Sequence, residues 1–151
     1  MRILKVNNKK DNKFLRKKTA AFDFGSMTKA ELRALIAEMK KTMHDAEGVG
    51  LSANQVGIDA SFFVAEFENK FYAIFNPEII KFSKETDVLE QGCLSVPDKR
   101  VEVTRPFEVV LKGFDKNEKR LKIRAWGFLA QVFQHEVDHL NSVLITDYGR
   151  R

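Results

Sequence analysis

Apolar residues recur along this chain with two different periods. From Thr28 onward, Leu32, Leu35, Ile36, Met39 and Met43 return every three or four positions, the spacing of one helix face. Thr28-Lys-Ala-Glu31 has the form of a capping box at its start, and Lys40 and Lys41 suit its end. Gly48 can end this helix or the turn after it, with His44 in solvent. Beyond residue 59 the pattern changes to short aromatic and β-branched runs. Strands are expected at 60–67, 71–75 and 78–82, with a turn at Glu68-Asn69-Lys70 and a break at Asn76-Pro77. A second set at 100–104, 107–114 and 119–124, turning at Asp115-Lys116-Asn117, reads as antiparallel. A last helix begins near Trp126. Its residues Phe128, Leu129, Val132, Phe133, Val137 and Leu140 occupy much of its circumference, which predicts a helix enclosed by the rest of the protein. Before Phe24, the apolar residues Ile3, Leu4, Val6, Phe14 and Leu15 follow no clear period and suggest an extended arm packed on the domain.

Composition narrows the class. The 151 residues, 44% apolar and 31% charged, suit a single folded domain over 1–151. No apolar run reaches the length of a membrane span, and Met1-Arg2-Ile3-Leu4-Lys5 lacks the apolar centre of a secretory signal, so the cytoplasm is the expected location. The net charge of +5 is dispersed among acids and gives no nucleic-acid specificity. One cysteine excludes an internal disulfide. Cys93 is then a buried small hydrophobe, a reactive thiol or a metal ligand.

Three stretches carry candidate chemistry. In His135-Glu136-Val137-Asp138-His139, a helical turn of about 100° per residue sets the two imidazoles about 40° apart and one turn along, close enough to hold one metal ion. Glu136 and Asp138 flank them. In Glu90-Gln91-Gly92-Cys93-Leu94-Ser95-Val96-Pro97, a glycine before the only cysteine and a closing proline suggest an exposed, sharply bent loop that presents the thiol. In the glycine-rich residues 48–57, small residues let backbone come close to a partner. The phosphate-loop pattern and the strand before it are missing, which excludes that class of nucleotide binding.

Together, Gly48-x-Gly50-Leu51-Ser52-Ala53-x-Gln55, Gly92-Cys93-Leu94-Ser95 and His135-Glu136-x-x-His139 resemble the three ordered signatures of the peptide deformylases, over nearly the whole chain. The resemblance implies an α+β fold in which antiparallel sheets surround a central helix carrying the H-E-x-x-H motif. It implies Cys93, His135 and His139 as metal ligands, with a metal-bound water as nucleophile and Glu136 as general base and acid. The Gln55 amide and the Leu94 backbone N–H would stabilise the developing oxyanion. The implied activity is hydrolysis of the N-formyl group from formyl-methionyl nascent peptides, releasing formate. Val49, Gly50 and Gly92 would hold the peptide in strand-like register. Phe128 and Val132 would line the methionine pocket, and Gln131, polar for that place, suggests a relaxed preference. The implied ion is Fe²⁺, with Zn²⁺, Ni²⁺ or Co²⁺ possible in a purified sample, and the thiolate beside ferrous iron implies oxygen sensitivity.

Some positions depart from the family pattern. Gln91 replaces the usual Glu and loses a charge that could pair with an arginine such as Arg105. Ser52 replaces a common alanine, a change expected to be tolerated, and Asp138 orients a ligand or pairs with a base. The sequence stops at Arg151, soon after His139, which leaves no room for a C-terminal ribosome-docking helix. A monomer with at most transient ribosome proximity is expected. The rivals are an H-E-x-x-H metallopeptidase and a non-catalytic member that binds peptide or ribosome. Cys93 speaks against the first, Glu136 and Gln55 against the second.

Overall fold

The computed structural model describes residues 1–148; residues 149–151, including Arg151, on which the docking-helix expectation turned, lie outside them. The opening stretch corrects the extended-arm expectation, because Lys9–Leu15 forms a helix, α1. The Asn8 side chain caps it by accepting from the Asp11 N–H. The Asp11 carboxylate is held by both Arg2 nitrogens and the Lys5 N–H, and the Arg2 bonds first of all keep it below the usual carboxylate range. One side chain, Leu15, is fully buried. A helix this short is specified by its cap and ion pair rather than by an apolar period.

Helix α2, Lys29–Asp45, starts at the expected capping box, with Glu31 N–H donating to Thr28 Oγ1 and Thr28 N–H to Glu31 Oε1. Its left-handed residue after the end is Glu47, φ 57°, rather than Gly48. Gly48 is needed for space instead: a Cβ there would lie 2.8 Å from Leu94 Cδ1. His44 is exposed, as expected, with its Nε2 2.9 Å from Glu66 Oε1.

Strands β1 (Gly50–Ser52), β2 (Phe62–Phe67), β3 (Lys70–Phe82), β6 (Glu108–Phe114) and β7 (Arg120–Trp126) form an antiparallel sheet in the order β1-β2-β3-β6-β7. Glu68 and Asn69, both at positive φ, make the two-residue turn between β2 and β3. The expected break at Asn76-Pro77 is a bulge inside one continuous strand. Asn76 takes φ 48°, the register shifts between Phe75 and Glu78, and its amide bonds both backbone groups of Phe22. Strands β4 (Thr86–Cys93) and β5 (Val96–Pro106) pair in a separate two-stranded sheet. Residues 90–97 therefore form a tight hairpin tip rather than an exposed loop, and Gln91 is buried there.

Helix α3, Gly127–Leu140, follows Trp126, which is 63% exposed. It packs against β1, β2, β3, β5, β6 and β7, so sheet and hairpin enclose it as the apolar pattern required. A short helix, α4 (Ile145–Tyr148), closes the described chain. The five-stranded sheet separates two cores: Phe62, Val64 and Phe75 face α2, while Phe63 and Ile74 face Phe133 and Val137 of α3. Residues 62–65 of strand β2 are buried on both faces, which explains their unbroken apolar run.

The Phe75 ring lies 4.8 Å from Phe22 and 4.9 Å from Phe62, centroid to centroid. Phe75→Ala should therefore cost about 3–5 kcal/mol. Phe82→Ala, at a side chain 59% exposed, should stay within about 0.5 kcal/mol of wild type. Urea unfolding with unchanged m-values measures both.

Candidate metal centre

Cys93 is the last residue of β4 and pairs with Val96 across the turn, which aims its sulfur at α3. Sγ lies 3.1 Å from His139 Nε2, and that nitrogen 3.1 Å from His135 Nε2. All three donors fall within 4.8 Å of one another. A tetrahedral ion bonded to nitrogen at about 2.0–2.1 Å would set two such nitrogens about 3.3 Å apart, so the spacing suits one ion.

Charge makes the same case. Burial, helped by Arg105, pushes His135 down to about 3, and burial, helped by His135 and then Arg105, pushes His139 well below the usual imidazole value, which favours neutral rings with free lone pairs. Burial, opposed by the N–H groups of Ser95 and Val96 and reinforced by Glu136, pushes the Cys93 thiol up to about 12. A thiolate here needs a compensating positive charge, which a divalent cation supplies. Among the described residues no fourth Cys, His, Asp or Glu joins the set.

Glu136, one residue beyond His135, is 3% exposed, and its Oε1 has no partner among the described residues. Burial and Asp138 raise its carboxyl while Arg105 lowers it, and the balance stands at about 8. It can thus both take and return a proton near neutrality. Gly50 makes room for it: a Cβ on Gly50 would lie 2.5 Å from Glu136 Oε2. The close backbone approach inferred for the glycine-rich stretch is an approach to this carboxylate.

The Gln55 amide is oriented by its neighbours. Its Oε1 accepts from the Ser52 N–H at 3.0 Å and from Ser52 Oγ–H at 3.0 Å. Its Nε2 therefore faces the other way, donating to Ser95 Oγ at 3.1 Å, with Cys93 Sγ at 3.9 Å. Ser52 is fully buried and satisfied, so its hydroxyl is accommodated as expected.

These groups open into a cavity of about 570 Å³ whose walls include Val49, Gly50, Gly92, Leu94, Phe128, Gln131 and Val132, beside Cys93 and His135. Of the residues expected to ligate metal, act on the formyl group or hold the peptide, all but His139 line it. The cavity lies between β1, the edge of the larger sheet, and β4, an edge of the hairpin.

Arg105 Nη2 donates to Gln91 Oε1 at 3.2 Å, so the Gln91–Arg105 contact survives without the acid's charge. Arg105 Nη1 pairs with Asp138 Oδ2 at 2.7 Å, and Tyr148 O–H donates to the same oxygen at 2.6 Å. Of the two roles expected for Asp138, it takes the pairing with a base. Sequence reasoning did not single out Ser95, Asn54 or Tyr148. Asn54 donates from Nδ2 to the His139 carbonyl at 2.6 Å. The pairing of Ser52 with Gln55 three residues on was a local signal for the amide's anchoring; the contacts of Asn54 and Tyr148 are tertiary and had none.

Comparison with known proteins gives one result. The sequence model of the family described as Polypeptide deformylase matches residues 1–151. The chain is 45% identical over 116 residues to the peptide deformylase of Halothermothrix orenii, covering 76% of this chain and 75% of that one. It is 42% identical over 124 residues to that of Rhizobium meliloti, covering 79% and 71%. The crystal structure of peptide deformylase from Thermotoga maritima superposes with a TM-score of 0.88 at 38% identity, covering 99% of this chain and 97% of that one.

The Gly50–Glu136 contact yields an expected outcome. Gly50→Ala should displace the carboxylate and lower turnover of an N-formyl peptide about a hundredfold while bound metal per chain is unchanged. Initial rates and elemental analysis on one sample measure the two quantities.

Proposed function

Since the chain belongs to the polypeptide deformylase family, we propose that Cys93, His135 and His139 hold its metal ion and that Glu136, Gln55 and Leu94 perform its chemistry. The protein is a metal-dependent hydrolase that removes the N-formyl group from nascent polypeptides. The observation that carries the site is the convergence of one sulfur and two imidazole nitrogens beside a buried carboxylate whose Oε1 has no partner among the described residues.

The substrate peptide lies extended between the β1 and β4 edges, hydrogen-bonded to backbone around Val49, Gly50 and Gly92, so residues after the first are held without being read. The first side chain enters the pocket of Phe128, Gln131 and Val132, which excludes water from the formyl group. When bound, the divalent cation would supply Lewis acidity to the formyl oxygen and to water, whose pKa it would bring toward about 7. Glu136 Oε1 accepts the proton of the attacking water and returns it to the departing amine nitrogen. Gln55 Nε2 and the Leu94 N–H donate to the formyl oxygen as its negative charge grows, and one such donor is typically worth about 3 kcal/mol of barrier.

Fe²⁺ is the active ion in this proposal, on the strength of family kinship; the sulfur and nitrogen donors would also accept zinc, nickel or cobalt. Residues 1–151 act as one catalytic domain, monomeric and cytoplasmic, with transient ribosome proximity. Among the described residues no helix is long and apolar enough to cross a membrane.

Glu136→Gln should keep its metal and lose nearly all turnover, whereas Cys93→Ser should bind metal more weakly or change the metal retained. Anaerobic formate release from a formyl-Met peptide, with elemental analysis of the same preparation, measures both. Full turnover in the first variant removes Glu136 from its role, and unchanged metal and activity in the second removes the thiolate ligand.

A further inference from the structure

The pocket assigned above to the first side chain of the substrate is not uniformly apolar. Gln131 is 2% exposed, lines the cavity, and sits beside Val132 and Phe128 on the face of α3 that the cavity meets. Its Oε1 accepts from Gln91 Nε2 at 2.8 Å. Its Nε2 is buried and has no partner among the described residues.

The direction of this chain of amides is fixed from its far end. A guanidinium carries donors only, so the group of Gln91 that meets Arg105 Nη2 has to be the oxygen. The Gln91 nitrogen then points at Gln131 and demands the Gln131 oxygen. What remains without an acceptor among the described residues is the Gln131 N–H₂, on a side chain that lines the cavity. Reversing either amide would set donor against donor at one end of the chain. Asp138 in turn holds Arg105 in place from α3.

A buried donor left without an acceptor is costly, and a ligand atom that satisfies it gains what an apolar atom cannot. A thioether sulfur is a weak acceptor; a sulfoxide oxygen on the same sulfur is a strong and polar one. We propose that Gln131, oriented by Arg105 through Gln91, makes this pocket donate a hydrogen bond to the first side chain of the substrate. The enzyme then favours N-formyl peptides whose first side chain carries a hydrogen-bond acceptor, and it accepts N-formyl methionine sulfoxide where an apolar pocket would reject it. This rests on the deformylase site proposed above and concerns its substrate class.

The test is kcat/KM for formate release from three formyl tripeptides that differ only in their first residue: norleucine, methionine and methionine sulfoxide. In the wild type the rates should rise in that order. Gln131→Leu should lower the sulfoxide-to-norleucine ratio about tenfold, chiefly through KM. Gln91→Glu offers a second variant that leaves the Gln131 side chain intact. A carboxylate only accepts, so it would take both the Arg105 and the Gln131 donors and turn the Gln131 oxygen toward the pocket; the ratio should fall here as well. Ratios within one preparation do not depend on the fraction folded. A ratio that is the same in all three proteins overturns the proposal. One that moves with Gln131→Leu but not with Gln91→Glu overturns the amide orientation on which it stands. Absence of formate release from every peptide by the metal-loaded wild type would overturn the site reading, and this inference with it.

Discussion

A single guanidinium relates the two halves of the metal centre. Cys93 arrives on the β4–β5 hairpin, a sheet of its own, and the imidazoles arrive on α3, so their alignment depends on side chains packed between the two. Arg105, on β5 and 3% exposed, grips Asp138 of α3 with one nitrogen and Gln91 of β4 with another. A pair this enclosed adds little net stability, but removing one partner leaves an uncompensated charge and typically costs about 3–5 kcal/mol. Its value is positional: it holds sulfur and nitrogens at one point.

The same cation also acts through space. Burial alone would strip the charge from every titratable group in the centre, which suits the imidazoles and opposes the carboxylate. Arg105 pushes both histidines further toward neutrality and pulls Glu136 back toward ionisation. One positive charge outside the ligand set thus leaves lone pairs on the rings while keeping a proton acceptor beside His135 in the cavity wall. The thiol is the member that burial leaves protonated, and so the one whose ionisation depends on an occupying cation.

Much of this was legible in the sequence because it was local. The capping box and apolar period of α2, the enclosed circumference of α3, the i,i+4 imidazoles and the glycine before Cys93 each lie within a few residues. What was hidden depends on distant partners. Helix α1 is fixed by an Asn8 cap and by Arg2 reaching Asp11, with too few apolar residues to show a period. Residues 90–97 resembled a loop because their glycine and proline are read locally as breakers, yet they close a hairpin whose tip must turn sharply to bring the sulfur inward. Asn76-Pro77 suggested a chain break for the same reason, and the sheet absorbed it as a bulge. The Gln131 amide was visible as an oddly polar residue, but its direction follows only from Arg105 on another strand.

The junction of β7 with α3 has a consequence for how this molecule is observed. Trp126 is the chain's only indole, and it stands in water in the native state. Its emission begins close to that of the free fluorophore and changes little when the chain comes apart. Loss of structure is followed better by the far-ultraviolet dichroism of α2 and α3, leaving the tryptophan as a spectroscopic probe of its own surface.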